Sequence, residues 1–212
     1  MTYLIFSDIH GNLPAFESVL NNEPNVDGYI NLGDVVNYGP WCNECVQIID
    51  SFDNCYNIMG NHETYFNSGI CDVKNPLVQS FFDQTIISFT EYSKIKKYKN
   101  SIDLGGFELV HTLNNKEYVF RDSKVEIKKN TMLGHSHQQY LRYFGEKLLL
   151  NPGSIGQNRK FINLSNYALW NIDTGEIQLK FKKYNVEHLL DKMKEDNYPK
   201  DCLEYYKNKK RY

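Results

Sequence analysis

No stretch of the 212-residue sequence approaches the roughly 20 consecutive apolar residues that a membrane-spanning helix requires, so a helical membrane protein is excluded. The first residues also lack a basic segment, a long apolar run and a small-residue cleavage site, the pattern of a secretory leader. Met1 leads directly into Tyr3, Leu4, Ile5 and Phe6, and a cytoplasmic protein with no membrane partner is expected. The cysteines are an odd five, Cys42, Cys45, Cys55, Cys71 and Cys202, and their spacing offers no disulfide framework. A net charge of −2 provides no basic field of the kind that gathers nucleic acid, which is not expected as a partner. Neither a P-loop nor a GxGxxG fingerprint occurs, which excludes kinase-like and dinucleotide-dependent chemistry at the level of motifs.

What is present suits a globular chain. With 41% hydrophobic and 14% aromatic residues, the sequence can bury a core without disulfides, and one domain over residues 1–212 is expected. The charge is uneven. Residues 180–212 carry a local +4 and form a basic tail, helical from about 186, leaving −6 for residues 1–179. A site that attracts cations therefore belongs to the first 179 residues.

Strand and helix signals alternate over the first sixty residues. Tyr3 to Phe6, Gly28 to Leu32 and Cys55 to Met59 read as strands. Asn12-Leu13-Pro14 reads as a helix start, and residues 42–52 have a helical pattern. Such a βαβαβ order implies parallel strands, with Asp8, Asp34 and Asn61 beyond their C-terminal ends, where open α/β sheets bind ligands. Residues 75–98 read as helical. Hairpins follow at Gly105-Gly106, Gly145-Glu146 and Asp173-Thr174-Gly175, and the helical tail from Val186 is broken near Pro199.

Five of the six histidines fall at these strand ends: His10 in Asp8-Ile9-His10, His62 in Gly60-Asn61-His62-Glu63, His111, and His135 and His137 in Gly134-His135-Ser136-His137. Each motif alone has an ordinary reading. Asp8 and His10 could be loop residues, Gly33-Asp34 a turn, Asn61 a helix cap with Glu63 in its first turn, and His135 and His137 exposed. Together they put two carboxylates, one amide and five imidazoles at one set of strand ends, more than one ion needs, in a mixture suited to Mn, Fe, Zn, Co or Ni.

In this order the motifs resemble the calcineurin-like metallophosphoesterases, and the resemblance runs from residue 4 to about 160. It extends to Leu32-Gly33-Asp34-Val35-Val36-Asn37-Tyr38-Gly39-Pro40 and to Asn151-Pro152-Gly153-Ser154-Ile155-Gly156, which look like the small bacterial and archaeal branch. The resemblance implies a four-layer α/β sandwich of two mixed β-sheets flanked by helices. It implies two divalent metal ions, Mn2+ first among Fe, Zn, Ni and Co, with Asp8, His10 and His137 on one, Asn61, His111 and His135 on the other, and Asp34 between them. His62 would face the substrate and assist the leaving oxygen. The implied activity is phosphodiester hydrolysis by a metal-bridging hydroxide, on a small phosphorylated molecule or nucleotide. A phosphomonoesterase, including a Ser/Thr protein phosphatase or a dinucleoside-polyphosphate hydrolase, would use the same centre, and a scaffold on the same fold would need no turnover.

Other signals have plainer readings. Cys42-Asn43-Glu44-Cys45 lies in a helical segment with no second ligand pair, so core packing is expected. Arg159 could clamp a phosphate or be a surface arginine. The Lys207 to Arg211 run reads as a solvated tail, although the neighbouring Tyr205, Tyr206 and Tyr212 could stack bases. Substrate choice is expected to lie in loops near 64–76 and 112–124.

Overall fold

The computed structural model describes residues 1–113 and 118–212. Strand β1 (Thr2–Phe6) turns Leu4 and Phe6 to one face and Tyr3 and Ile5 to the other, and all four are buried. A strand buried on both sides belongs inside a layered fold. β1 pairs in parallel with β2 (Gly28–Asn31), and β2 with β3 (Cys55–Asn57). In the second sheet β4 (Ser101–Leu104) forms a hairpin with β5 (Phe107–Val110), which runs parallel to β6 (Asn130–Met132). That sheet is completed by the hairpin of β7 (Tyr140–Phe144) and β8 (Lys147–Asn151), in the order β4-β5-β6-β8-β7. β9 (Leu164–Asn171) returns antiparallel to the free edge of β1, and β10 (Ile177–Lys183) completes the first sheet as β10-β9-β1-β2-β3.

The described residues form the helices α1 (Leu13–Leu20), α2 (Cys42–Asp50), α3 (Asn61–Ser68), α4 (Pro76–Ile86), α5 (Tyr92–Ile95), α6 (Val186–Glu195) and α7 (Lys200–Lys207). All contribute to one core with Leu4, Phe6 and Tyr167, through residues such as Phe16, Val46, Phe66, Phe81, Ile95, Leu190 and Tyr206. Cys42 and Cys45 are buried there, as expected of packing residues. A second core lies between the sheets, where Tyr3, Ile5, Ile30 and Trp170 meet Phe107, Leu109, Met132 and Leu150.

The architecture is the expected pair of mixed sheets flanked by helices, with one particular. The outer face of the second sheet, carrying Leu149 and Tyr140, is covered by irregular chain bearing Val119 and Ile127. Tyr140 Oη donates to the Val119 carbonyl (2.7 Å) and Arg142 Nη1 to that of Ser123 (2.8 Å), so side chains hold this cover in place.

Local chemistry explains the boundaries. Asn12 Oδ1 caps α1 by accepting from Ala15 N, with proline in the first turn. The helical stretch expected over 75–98 divides into α4 and α5. Asn43, from α2, accepts from Thr90 N (2.8 Å) and donates to the Ser88 carbonyl (2.9 Å), replacing the bonds a continuous helix would make. The terminal run is solvent-exposed at Lys207, Lys210 and Arg211, as read, and is tethered as well: Ile162 N donates to the Lys210 carbonyl (3.0 Å), and Tyr212 lies edge-on to Phe161 and Phe181. Among the described residues no helix is long and apolar enough to cross a membrane.

Candidate metal centre and active site

Five parallel strand ends converge on one edge. Asp8 follows β1, Asp34 follows β2, Asn61 opens α3 after β3, His111 follows β5, and His135 and His137 follow β6. The loops are laced by backbone bonds: Asp8 N to Gly33 O (2.9 Å), His10 N to Asp34 O (3.0 Å), and Gly134 N to His111 O (3.0 Å). Asp8, His10, Asp34, His135 and His137 all have left-handed backbones, with φ from 51° to 64°. Asn37 and Tyr38, beside His62, do so too. Such φ values are uncommon outside glycine and gather at functional sites. Gly33, at φ +98°, has no alternative, because a Cβ there would lie 2.8 Å from both Gly60 N and His111 Nδ1.

Ligand-type atoms converge inside these loops. Asp8 Oδ1 lies 3.2 Å from His137 Nε2 and 3.9 Å from His10 Nε2, and the two imidazole nitrogens are 3.3 Å apart. Asp34 Oδ2 is 3.1 Å from His111 Nε2, which is also 3.1 Å from Asn61 Oδ1. Among the described residues, three trios each bring their atoms within 4.8 Å of one another: Asp8, His10 and His137; Asp34, His111 and His135; and His10, Asp34 and His62. His10 and Asp34 belong to two trios each, so the sets are contiguous.

The polarity of the rings decides what this cluster can hold. Nδ1 of His10, His111 and His137 faces the carbonyl oxygens of Val36 (3.2 Å), Leu32 (2.6 Å) and Gln157 (2.8 Å) respectively. A carbonyl only accepts, so Nδ1 carries the proton in each neutral ring and Nε2 turns a lone pair inward. Asp8 Oδ1, buried with no hydrogen-bond partner among the described residues, joins them. Acceptors facing acceptors in a buried place fit a cation.

The local pKa values agree. Burial opposes charge on Asp8, yet His137 holds its carboxyl down at about 2. Burial and the neighbouring His111 push His135 down to about 4. Burial likewise disfavours charge on His111, but Asp34 raises it to about 10, a demand for positive charge that a proton or a divalent ion on Nε2 meets alike.

His62 has the opposite polarity. Asn37 Oδ1 accepts from Tyr38 N (2.6 Å) and Thr85 Oγ1 (3.3 Å), which leaves Asn37 Nδ2 facing His62 Nδ1 at 2.8 Å. His62 Nδ1 therefore accepts, and its Nε2 carries the proton on the side of Asp34 Oδ2, 3.9 Å away. A ring so held is a donor towards the cleft.

Glu63 occupies the first turn of α3, as its ordinary sequence reading has it, and is also a buried organiser. Its Oε2 accepts from Asp34 N and Gly60 N, both at 2.8 Å, and its Oε1 from Val35 N (2.7 Å) and Val36 N (3.2 Å). Burial and the Asp34 charge push its carboxyl up to about 7, against these four donors, which favour the ionised form.

The model of the calcineurin-like phosphoesterase superfamily domain matches residues 1–175. The chain belongs to that superfamily. It is a metal-dependent phosphoesterase, and the Asp and His trios are groups that could hold its metal. An uncharacterised protein of Methanocaldococcus jannaschii is 27% identical over 92% of this chain and 93% of its own length. The fold matches a metallophosphoesterase from Sphaerobacter thermophilus with a TM-score of 0.80, at 23% identity over 98% of each chain. It matches a hypothetical protein from Pyrococcus horikoshii with a TM-score of 0.81, at 13% identity over 97% of each. At these structural identities the likeness is one of fold.

In this phosphoesterase every residue singled out by its motif reaches one place. Asp34, Asn61, His62, His135, His137 and Arg159 line a cleft of about 360 Å³, with Asp8, His10 and His111 directly behind. His188, the sixth histidine, lies apart against Trp41. Arg159 is an exposed arginine at the rim of the cleft: its Nη2 is 3.5 Å from His137 Nε2, and its Nη1 donates to Tyr205 Oη (3.0 Å). Tyr205 comes from α7, outside the segment the superfamily model covers, and no local signal in the sequence links it to the cleft. Of the two loops expected near the cleft, 64–76 begins inside α3 and supplies Tyr65 and Lys74. The other, 112–124, supplies Tyr118, stacked on His135 at 4.2 Å, while its residues 114–117 lie outside the described residues.

Proposed function

We propose that this chain is a binuclear phosphodiesterase of the cytoplasm, built as one domain over residues 1–212. Asp8, His10 and His137 would hold one divalent ion and Asn61, His111 and His135 the other, with Asp34 between them. The observation that carries this reading is the contrast in ring polarity: three imidazoles offer lone pairs inward, whereas His62 offers an N–H. The contrast separates ligands from a leaving-group donor within one cluster. Mixed nitrogen and oxygen donors suit Mn2+, and Fe, Zn, Ni and Co accept the same set.

Bound in this place, two divalent ions supply Lewis acidity and a hydroxide nucleophile at neutral pH. The chain does the rest. Arg159 orients a phosphate oxygen at the mouth, beside His137. His62 Nε2 donates to the leaving oxygen as negative charge develops there, and Asn37 keeps that proton on Nε2. Glu63 holds the 34–36 turn, and so Asp34, in position. Asn61, an amide, contributes no negative charge and keeps the centre attractive to an anion. Room for two ester groups supports a diester substrate, because the cleft adjoins a second cavity across His137 and Arg159.

The test is hydrolysis of bis-p-nitrophenyl phosphate against p-nitrophenyl phosphate by Mn-loaded protein. Faster turnover of the diester is expected. Preference for the monoester would replace the diesterase reading with a phosphomonoesterase, and no hydrolysis of either would favour a scaffold.

A further inference from the structure

Beside the metal cleft lies a second cavity, of about 600 Å³, whose walls include Phe120, Phe161, Phe181 and Leu164. It shares His137 and Arg159 with the cleft, so the two are continuous at the guanidinium. Its volume is within the range of small-molecule sites, which are commonly apolar-walled with a few polar groups.

Two features set it apart from a surface dent. Its floor is a rigid relay of amides. Gln139 Nε2 donates to the carbonyls of Pro152, Tyr167 and Lys180 at 2.8 to 3.2 Å, Asn166 Nδ2 to Gln139 Oε1 (2.9 Å), and Asn158 Nδ2 to Asn166 Oδ1. Asn158 Oδ1 then accepts from Phe161 N (3.0 Å), which fixes the backbone that carries one of the rings. The second feature is exposed aromatic surface. Phe120 and Phe181 leave 42% and 54% of their surface to solvent, and Phe161 and Phe181 are each steadied edge-on by Tyr212. Exposed apolar surface gathered around a concavity marks a place of binding.

We infer that this cavity binds an aromatic, nucleoside-sized substituent of the phosphate ester whose phosphate lies at the metal cleft. The inference rests on the proposed phosphoesterase centre. Aromatic walls favour a planar ring over a sugar or a short aliphatic chain, because stacking adds to apolar burial and tolerates any base. Arg159 stands at the junction, where the phosphate of such a ligand joins its organic group. The tail acquires a role here as well: Tyr205 steadies Arg159, and Tyr212 steadies two of the rings.

The experiment compares adenosine 5′-monophosphate with ribose 5-phosphate, which differ by the base alone, binding to the Mn-loaded full chain in isothermal titration calorimetry. The nucleotide is expected to bind about tenfold tighter or better, the order of one good stacking contact. In the Phe120→Ala/Phe181→Ala variant, checked for folding by circular dichroism, the advantage is expected to shrink to less than about threefold. Equal affinities for the two ligands in the wild type would overturn the inference, as would an advantage that survives the double substitution. Hydrolysis of bis-p-nitrophenyl phosphate by the same preparation reports separately on the metal centre. Loss of that activity alone would remove the enzymatic reading, while the affinity ratio still decides the cavity.

Discussion

Asn37 and His62 face each other at 2.8 Å, Nδ2 to Nδ1, and this one bond inverts the imidazole relative to His10, His111 and His137. Asn37 cannot turn its amide over without losing the bonds that Tyr38 N and Thr85 Oγ1 make to Oδ1. Asn37→Ala should therefore free the ring and lower kcat by about 10- to 100-fold, the usual scale for a partner that orients a functional histidine. Metal content, read by mass spectrometry, should stay at the wild-type level. A variant with unchanged kcat would show that the ring does not depend on its amide partner.

His62→Ala removes the donor itself. Turnover should fall by about 10²- to 10⁴-fold with metals retained, the range for a group that moves or shares a proton in the transition state. Near-normal turnover in a metal-replete variant would take His62 out of the mechanism.

Glu63→Gln tests the organiser. A glutamine oxygen can serve two of the four backbone N–H groups, and its NH2 then opposes the other two. Leaving buried donors unmet costs about 1–3 kcal/mol each, so the melting temperature should drop by about 5–15 °C in a chain of this size. Differential scanning fluorimetry measures this directly. An unshifted transition would mean that the 34–36 turn holds without Glu63.

Metal removal should be legible in stability, because the cluster's inward-facing acceptors fit a cation. Chelator-stripped protein given Mn2+ at about 100 times its dissociation constant should gain about 2.7 kcal/mol, or roughly 5–10 °C in melting temperature. Asp34→Asn, altering the carboxylate common to two of the trios, should lose most of that gain. A melting temperature indifferent to Mn2+ in the wild type would contradict a metal centre here.

Asn61→Asp adds a carboxylate without changing the shape of the site. Extra negative charge repels an anionic substrate and attracts cations, so KM should rise by a larger factor than any loss in metal affinity. Equal losses in the two measurements would show that Asn61 does not set the charge of the centre.

The positions of the site residues were legible because each sits just past an apolar run, and parallel strands must bring those ends together. Asp8, Asp34, Asn61, His111, His135 and His137 were found in this way, with the family resemblance supplying their pairing. Left-handed backbone at five of the cluster residues was not legible, since local preference opposes it and only the lacing between loops enforces it. Nor was the polarity of the rings, which depends on carbonyls of Leu32, Val36 and Gln157 brought in by the fold. The break between α4 and α5 comes from a side chain of α2, and the partnership of Arg159 with Tyr205 spans 46 residues. No local periodicity carries such information.

The place of β1 in its sheet has a consequence for how the molecule is made. Its first neighbour, β2, is complete by residue 31, but its second, β9, begins at residue 164. During synthesis β1 therefore carries an open edge while more than half of the chain is added, and the Asp8 loop waits until His135 and Ser154 are made to bond it. Non-local pairing of this kind slows folding and leaves strand edges available to other chains. Chaperone dependence and loss to aggregation should thus be set by the interval between the first strand and the ninth, and activity should appear late and all at once.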